Sequence, residues 1–292
     1  MTPPKTYSTG GAFRTALEER LKKMSQTDHL DLTRLRRQVS FDRLLARLFH
    51  DKQPSWTLKG GYALELRFNA ARSTVDIDLT MQQLMPTTSP TAETNTVVRE
   101  MLQSDVGIDL NDWFEYQIGS PIMDLTAAPY GGARYPVEAR MDKRIFSRFH
   151  LDVGIGDVVM HPLEVVFCRD WLGFAGIETS SVRTISREQQ IAEKIHAYTL
   201  PRTSANSRVK DLVDLVLLIE SGGLDQQRVL NALRLTFKRR RTHDLPDQLT
   251  PPPETWRVPF QSLAEECGLL ADVATAFVRV AQYLETVLSN RI

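Results

Sequence analysis

Cysteine is nearly missing from this chain: Cys168 and Cys267 are the only two in 292 residues, and they stand far apart, with no CxxC pair and no Cys/His cluster. That excludes a disulfide framework and a zinc site, and leaves both thiols as small buried apolar groups. No run of about 18 apolar residues exists to span a bilayer. The opening MTPPKTYSTGG carries no apolar signal segment, so the expected address is the cytoplasm, with no membrane partner. Internal repeats are absent, and no low-complexity tract exists beyond a short PPP. Net charge is zero as well, 36 Lys and Arg against 36 Asp and Glu. What remains is a globular chain whose 42% hydrophobic content suffices for a core, in one large domain or two modest ones.

The zero charge is a sum of unlike parts. Residues 1 to 50 hold ten Lys/Arg against five Asp/Glu, residues 76 to 132 hold nine acids against Arg99 alone, and Arg234 to His243 holds five Lys/Arg and no acid. An acidic site flanked by basic segments suits a protein that binds metal centrally and a polyanion peripherally. Ordinary solvated helix faces are the competing explanation for the N-terminal segment.

One stretch concentrates the chemistry: LKGGYALELRFNAARSTVDIDLT, Leu58 to Thr80. It reads as a buried strand ending at Lys59, a Gly60-Gly61 turn, a short helix carrying Tyr62 to Arg67, a loop through Ser73, and a second strand. Glycines leave the turn's N–H groups unobstructed and a helix start adds positive partial charge, so the turn can hold phosphate. Asp76 and Asp78, two apart on a strand, share one face. Paired carboxylates repel unless a cation sits between them, and a hard divalent ion such as Mg²⁺ suits their oxygens.

Around this unit, apolar spacing predicts helices over 12–27 and 32–50, and the Pro/Thr-rich MPTTSPTAETN reads as an exposed loop before a helix near Thr96 to Ser104. From Trp113 the period changes to two, giving antiparallel strands at WFEYQIG, VEARM and RIFSRFHLDVGIG, with a corner at Asp142-Lys143. In the last strand Phe149, Leu151 and Val153 share one face, which leaves His150, Asp152 and Gly154 on the other. Glu138 on the preceding strand competes with Asp152 as a further acid of the site. Pro162 to Ile185 reads as a connection, and helices dominate beyond it. REQQIAEKIHAYTL buries Ile191, Ile195 and Tyr198 and leaves Lys194 beside that stripe. In SRVKDLVDLVLLIESGG, with Asn206 or Ser207 as cap, Arg208, Asp211 and Asp214 project from the first two turns. A further helix through Gln226 to Phe237 precedes the basic run Lys238 to Arg241, a Pro-rich bridge, and two closing helices.

The stretches LKGGYALELR, ARSTVDIDL, RFHLDVGIGD, AEKIHAYTLP, NSRVKDLVDL and TFKRRRTHDLP, in that order, resemble the AbiEii group of nucleotidyltransferase toxins from type IV toxin-antitoxin pairs, within the DNA polymerase β-like superfamily. The resemblance implies an α+β fold: a polymerase β-like mixed sheet with flanking helices, followed by a mostly helical C-terminal domain. It divides the chain into N-terminal helices over 1–50, a nucleotidyltransferase core over 51–160, and a helical domain over 161–292 completing the cleft.

It further implies transfer of a nucleoside monophosphate from an NTP to an acceptor hydroxyl, with two Mg²⁺ held by Asp76, Asp78 and Asp152. Catalysis would draw also on Lys194 and Asp211, and nucleotide binding on Lys59, Gly60, Gly61, Thr74, Lys194, Arg208 and Asp211. Asp214 would brace a neighbouring basic residue. The expected acceptor is RNA, the tRNA 3′ end in particular, contacted by Lys238, Arg239, Arg240 and Arg241. A cognate antitoxin is an expected partner, and Thr74 or Ser73, at the mouth of the site, is the expected target of inhibitory phosphorylation. Nucleotidylation of a protein or small molecule, or a silent RNA- or antitoxin-binding module, are the alternatives.

Overall fold

The structure, a computed structural model, describes residues 5–68, 71–81, 92–203 and 206–289. The chain begins with helices α1 (Gly10–Asp28) and α2 (Leu32–Leu48), then β1 (Trp56–Lys59), α3 (Gly60–Arg67), β2 (Asp76–Met81) and α4 (Ala92–Asp105). Strands β3 (Glu115–Ile118), β4 (Met123–Asp124), β5 (Gly132–Met141), β6 (Arg144–Ile155), β7 (Glu164–Phe167) and β8 (Ser181–Thr184) follow. Helices α5 (Arg187–Thr199), α6 (Val209–Glu220), α7 (Gln226–Arg240), α8 (Arg257–Glu266) and α9 (Val273–Ser289) complete the chain. The expected MPTTSPTAETN loop lies largely outside the described residues. No described helix is long and apolar enough to cross a membrane.

Two compact units share these elements, and they interleave along the sequence. One comprises Met1–Leu58, Ser73–Gly156 and Val165–Thr184, the other Lys59–Arg72, Asp157–Glu164 and Ile185–Ile292. These units run across the expected bounds at residues 50 and 160: the Gly-Gly helix α3 falls with the later helices, and 165–184 falls with the first unit.

The first unit is built on a mixed sheet of strand order β3-β5-β6-β2-β1-β8-β7, with β4 added to β5. Parallel pairing of β2 with β6 sets Ile77 opposite Leu151 and Leu79 opposite Val153. These four side chains are fully buried, and α2 packs on their face of the sheet, where the Phe41 and Phe149 rings meet edge to face at 4.7 Å. Alternation along β2 and the paired half of β6 then sends the odd-numbered residues into the core and the even-numbered ones to the opposite face. Asp31 starts α2 by accepting from the Arg34 N–H at 2.6 Å, an ordinary N-cap. The connection expected over Pro162 to Ile185 in fact holds β7 and β8. At four residues each, these strands offer too few alternating positions to show a period.

In the second unit α5 packs on α6 and α7, and α9 on α6 and α7. Its core runs from Leu64 on α3 through Ile191, Ile195, Leu212, Leu215, Val229 and Leu233 to Phe260 and Val280. Ser186 caps α5 by accepting from the Gln189 N–H. At α6 the expected side-chain cap is absent: the cap position is Arg208, and Asn206 accepts from the Arg208 N–H one turn-like step earlier.

Candidate active site

Across three neighbouring strands of the first unit, one register row joins Asp78, Asp152 and Arg134, because Asp78 pairs with Asp152 on β6 and Asp152 with Arg134 on β5. The adjacent row joins Asp76 to His150. All five residues are half-buried and lie on the face opposite the core. The entry of β5 depends on Gly132: its φ is 150°, and a Cβ there would stand 2.0 Å from the Val153 carbonyl oxygen. Only glycine lets the two strands approach so closely at this point.

The Arg134 guanidinium ties the acids together. Its Nε donates to Asp152 Oδ1 at 2.7 Å, and its Nη2 donates to Asp152 Oδ2 at 2.8 Å and to Asp76 Oδ2 at 3.0 Å. The hydrogen bonds to Asp152, then the charges of Asp152, Asp76 and Asp78, hold the arginine pKa above its ordinary value. Asp76 Oδ1 meets His150 Nδ1 at 3.2 Å. Among the described residues no group of three or more His, Cys, Asp or Glu is gathered to hold a metal ion. Yet the donor set fits a hard divalent ion: the oxygens are carboxylate oxygens, and Asp76 and Asp152 already share one cation, the guanidinium.

Glu138, the competing acid, is engaged elsewhere, with Arg140 at 2.8 Å and Arg148 at 2.9 Å. Ser73 and Thr74 precede β2 and are held by Arg37 of α2, whose Nε donates to the Thr74 carbonyl at 3.0 Å and whose Nη2 donates to Ser73 Oγ at 3.3 Å. The Thr74 hydroxyl in turn donates to the Asp76 carbonyl at 3.3 Å.

The second unit carries two buried ionic clusters. In the first, Asp214 accepts from Lys194 Nζ at 2.6 Å and from Arg72 Nε and Nη2 at 2.9 and 2.7 Å. Lys194 also donates to Asp211 at 3.3 Å, and Asp211 lies 3.7 Å from Arg208. The side chains grade outward, from 1% exposed at Asp214 and 8% at Lys194 to 14% at Asp211 and 44% at Arg208. Burial alone would raise the Asp214 pKa, but Lys194 and Arg72 hold it below the ordinary carboxylate value. Burial would likewise lower Lys194, and the two aspartates raise it. Both members of the pair are therefore charged.

The second cluster gives protein partners to two of the cations expected on ligands. Lys59, expected on phosphate, is half-buried and donates to Asp157, with Glu193 3.6 Å away. Arg240, expected on RNA, donates to Asp157 at 2.9 Å through Nη2 with a side chain only 8% exposed. Helix α7 runs on to Arg240 rather than ending at Phe237, and that extra turn rotates Arg240 inward while Lys238, Arg239 and Arg241 stay exposed. Gly60 and Gly61 form the first turn of α3; Gly60 takes a φ of 68°, and its carbonyl accepts from Gln190 at 2.6 Å. In the first unit, part of the basic N-terminal segment is likewise turned inward, since Arg43 and Arg47 bind the buried Asp112 at 2.6 Å each.

Sequence reasoning missed Arg134, Arg72, Asp157 and Glu193. For Arg72 and Asp157 the available signal was their place within the ARSTVDIDL and RFHLDVGIGD stretches, Arg72 as the second residue of one and Asp157 as the last of the other.

The family described as Nucleotidyl transferase AbiEii toxin, Type IV TA system, matches residues 43–279. Among solved structures, the MenT4 nucleotidyltransferase toxin of Mycobacterium tuberculosis is similar, with 16% identity, 93% of this chain and 98% of that chain covered, and a TM-score of 0.53. JHP933 of Helicobacter pylori is similar at 14% identity over 90% of this chain and 96% of that one, with a TM-score of 0.47. At such identity the likeness to MenT4 speaks to the fold alone. No curated protein matches the chain.

Proposed function

Because the chain belongs to the AbiEii family of nucleotidyltransferase toxins of type IV toxin-antitoxin systems, we propose that it transfers a nucleoside monophosphate from an NTP to an RNA acceptor, the 3′ end of a tRNA, and so blocks translation in the cytoplasm. The acceptor hydroxyl oxygen forms the new bond to the α-phosphorus, the α–β bridge breaks, and pyrophosphate leaves. The single observation that carries the reading is the row of Asp78 and Asp152 across two parallel strands with Asp76 beside it.

Those three carboxylates would hold Mg²⁺, two ions in all, which when bound neutralises the triphosphate and acidifies the attacking hydroxyl. The chain's own part is positioning and charge. Strand register fixes the acids, so little reorganisation is needed when negative charge arrives. Lys194 stays protonated between Asp214 and Asp211, and with Arg208 and Asp211 it presents a fixed charge pattern for the nucleotide. The Gly60-Gly61 turn at the start of α3 offers N–H groups to phosphate. Lys59 supports this turn through Asp157 rather than reaching the phosphates directly. Lys238, Arg239 and Arg241 are the exposed cations for an RNA backbone.

Control by the antitoxin belongs to the same reading. A phosphate on Thr74 or Ser73 would place nearly two negative charges beside Asp76, within reach of Arg37 as a guanidinium partner. Peptide mass mapping after co-expression with a candidate antitoxin tests this: inhibition with no added phosphate on residues 73–74 rules it out.

The transfer itself is tested by incubating the protein with total RNA and each labelled NTP in turn, with Mg²⁺. Label on tRNA is expected. Label on protein, on a small molecule, or nowhere refutes the RNA acceptor.

A further inference from the structure

We propose that Arg134 is the resident counter-cation of the acid face, and that it must release Asp76 and Asp152 before a divalent cation can bind there. The inference rests on the nucleotidyltransferase reading only for the purpose of the acids; the competition itself follows from their geometry.

The guanidinium engages both oxygens of Asp152 and Oδ2 of Asp76, while Asp76 Oδ1 faces His150. A hard divalent ion needs those same carboxylate oxygens. A guanidinium and a metal ion on one pair of carboxylates would repel each other and divide the same lone pairs, so occupancy by one weakens the other. The acids are fixed by the β2–β6 register, whereas Arg134 comes from another strand, β5, on a long side chain that is 26% exposed. The guanidinium can turn outward into water without disturbing a strand. Arg134 thereby sets a threshold: the site opens only above a divalent-ion concentration that overcomes its charge-assisted bonds.

A purely structural arginine, one that only staples β5 to its neighbours, makes the opposite forecast: its loss would loosen the sheet and weaken any cation site. The test is Mn²⁺ binding to the full chain without nucleotide, followed by calorimetry and by the loss of free-ion paramagnetic signal. Arg134→Gln is expected to bind Mn²⁺ at least about tenfold more tightly than the parent, since binding no longer displaces several charge-assisted bonds. Arg134→Lys keeps the charge but cannot fork across two carboxylates, and should fall between the two. Asp152→Asn should bind weakly with or without the Arg134 change. The melting temperature of Arg134→Gln should rise with Mn²⁺ by more than the parent's does.

Mn²⁺ affinity in Arg134→Gln that equals or falls below the parent's, or no binding by either, overturns the proposal. Should Arg134→Gln fail to fold, Arg134→Lys decides, and unchanged or weaker binding there is equally fatal. Failure here is separable from failure of the proposed function. RNA labelling by the parent with unaltered Mn²⁺ affinity in the variants sinks only the Arg134 inference, whereas tighter binding with no labelling of RNA sinks only the acceptor.

Discussion

Asp211 and Asp214 lie one helical turn apart on α6 and touch the same lysine, yet their removal should have opposite consequences. Asp214 is 1% exposed and accepts three charge-assisted bonds, one from Lys194 and two from Arg72. Asp214→Ala strands two buried cations, and breaking a buried pair in this way costs about 3–5 kcal/mol. For a unit of this size that is a fall of roughly 10–20 °C in melting temperature. Asp211 accepts one long bond from Lys194 and is more exposed, so Asp211→Asn should lower stability by no more than about 1 kcal/mol while impairing transfer. The sign with pH follows from the lowered Asp214 pKa: its contribution is complete above the unfolded carboxylate value, near 4, and is lost as pH falls through the lower folded value. Thermal and urea melts of both variants, read beside the labelling assay, settle the contrast. A melting temperature for Asp214→Ala within about 2 °C of the parent would refute the buried-triad reasoning.

Asp78→Asn should reduce transfer at least about a hundredfold, and Asp76→Asn, which loses an acceptor for Arg134, should be inactive and slightly less stable. Asp152→Ala should be inactive yet retain NTP binding, and Glu138→Ala, whose carboxylate serves Arg140 and Arg148, should stay active; the reverse ranking in a filter-binding and labelling series would move the third acid to β5. Neutralising Arg239 and Arg241 should flatten the salt dependence of RNA binding by roughly one log-log unit per lost phosphate contact, while Arg240→Ala should instead lower the melting temperature, since it strands Asp157. Burial, then the neighbouring Arg240, pushes His196 down to about 3. The unfolded chain therefore binds more protons below about pH 6.5, and stability should fall toward acid with a slope approaching about 1.4 kcal/mol per unit, a slope that His196→Asn removes.

The local spacing of residues determined much of this protein. Two apart on a strand means one face, and that alone aligned Asp76 with Asp78 and separated Asp152 from Phe149, Leu151 and Val153. Helical spacing likewise set Ile191, Ile195 and Tyr198 in the core of α5. Tertiary structure decided the partners of the charges. Counting outward from the Asp142-Lys143 corner pairs Met141 with Arg144 and Arg140 with Ile145, and continued unchanged it would set Arg134 opposite Leu151 on the apolar side. A bulge between Ala139 and Arg140 shifts the register by one residue and sets Arg134 opposite Asp152 instead. No periodicity announces a single extra residue. Lys59 and Arg240 converge on Asp157, and Arg72 reaches Asp214 across 142 positions of sequence. A cation's sequence neighbours fix its face but not its counter-ion, because a long side chain joins whichever acid the folded chain carries to it.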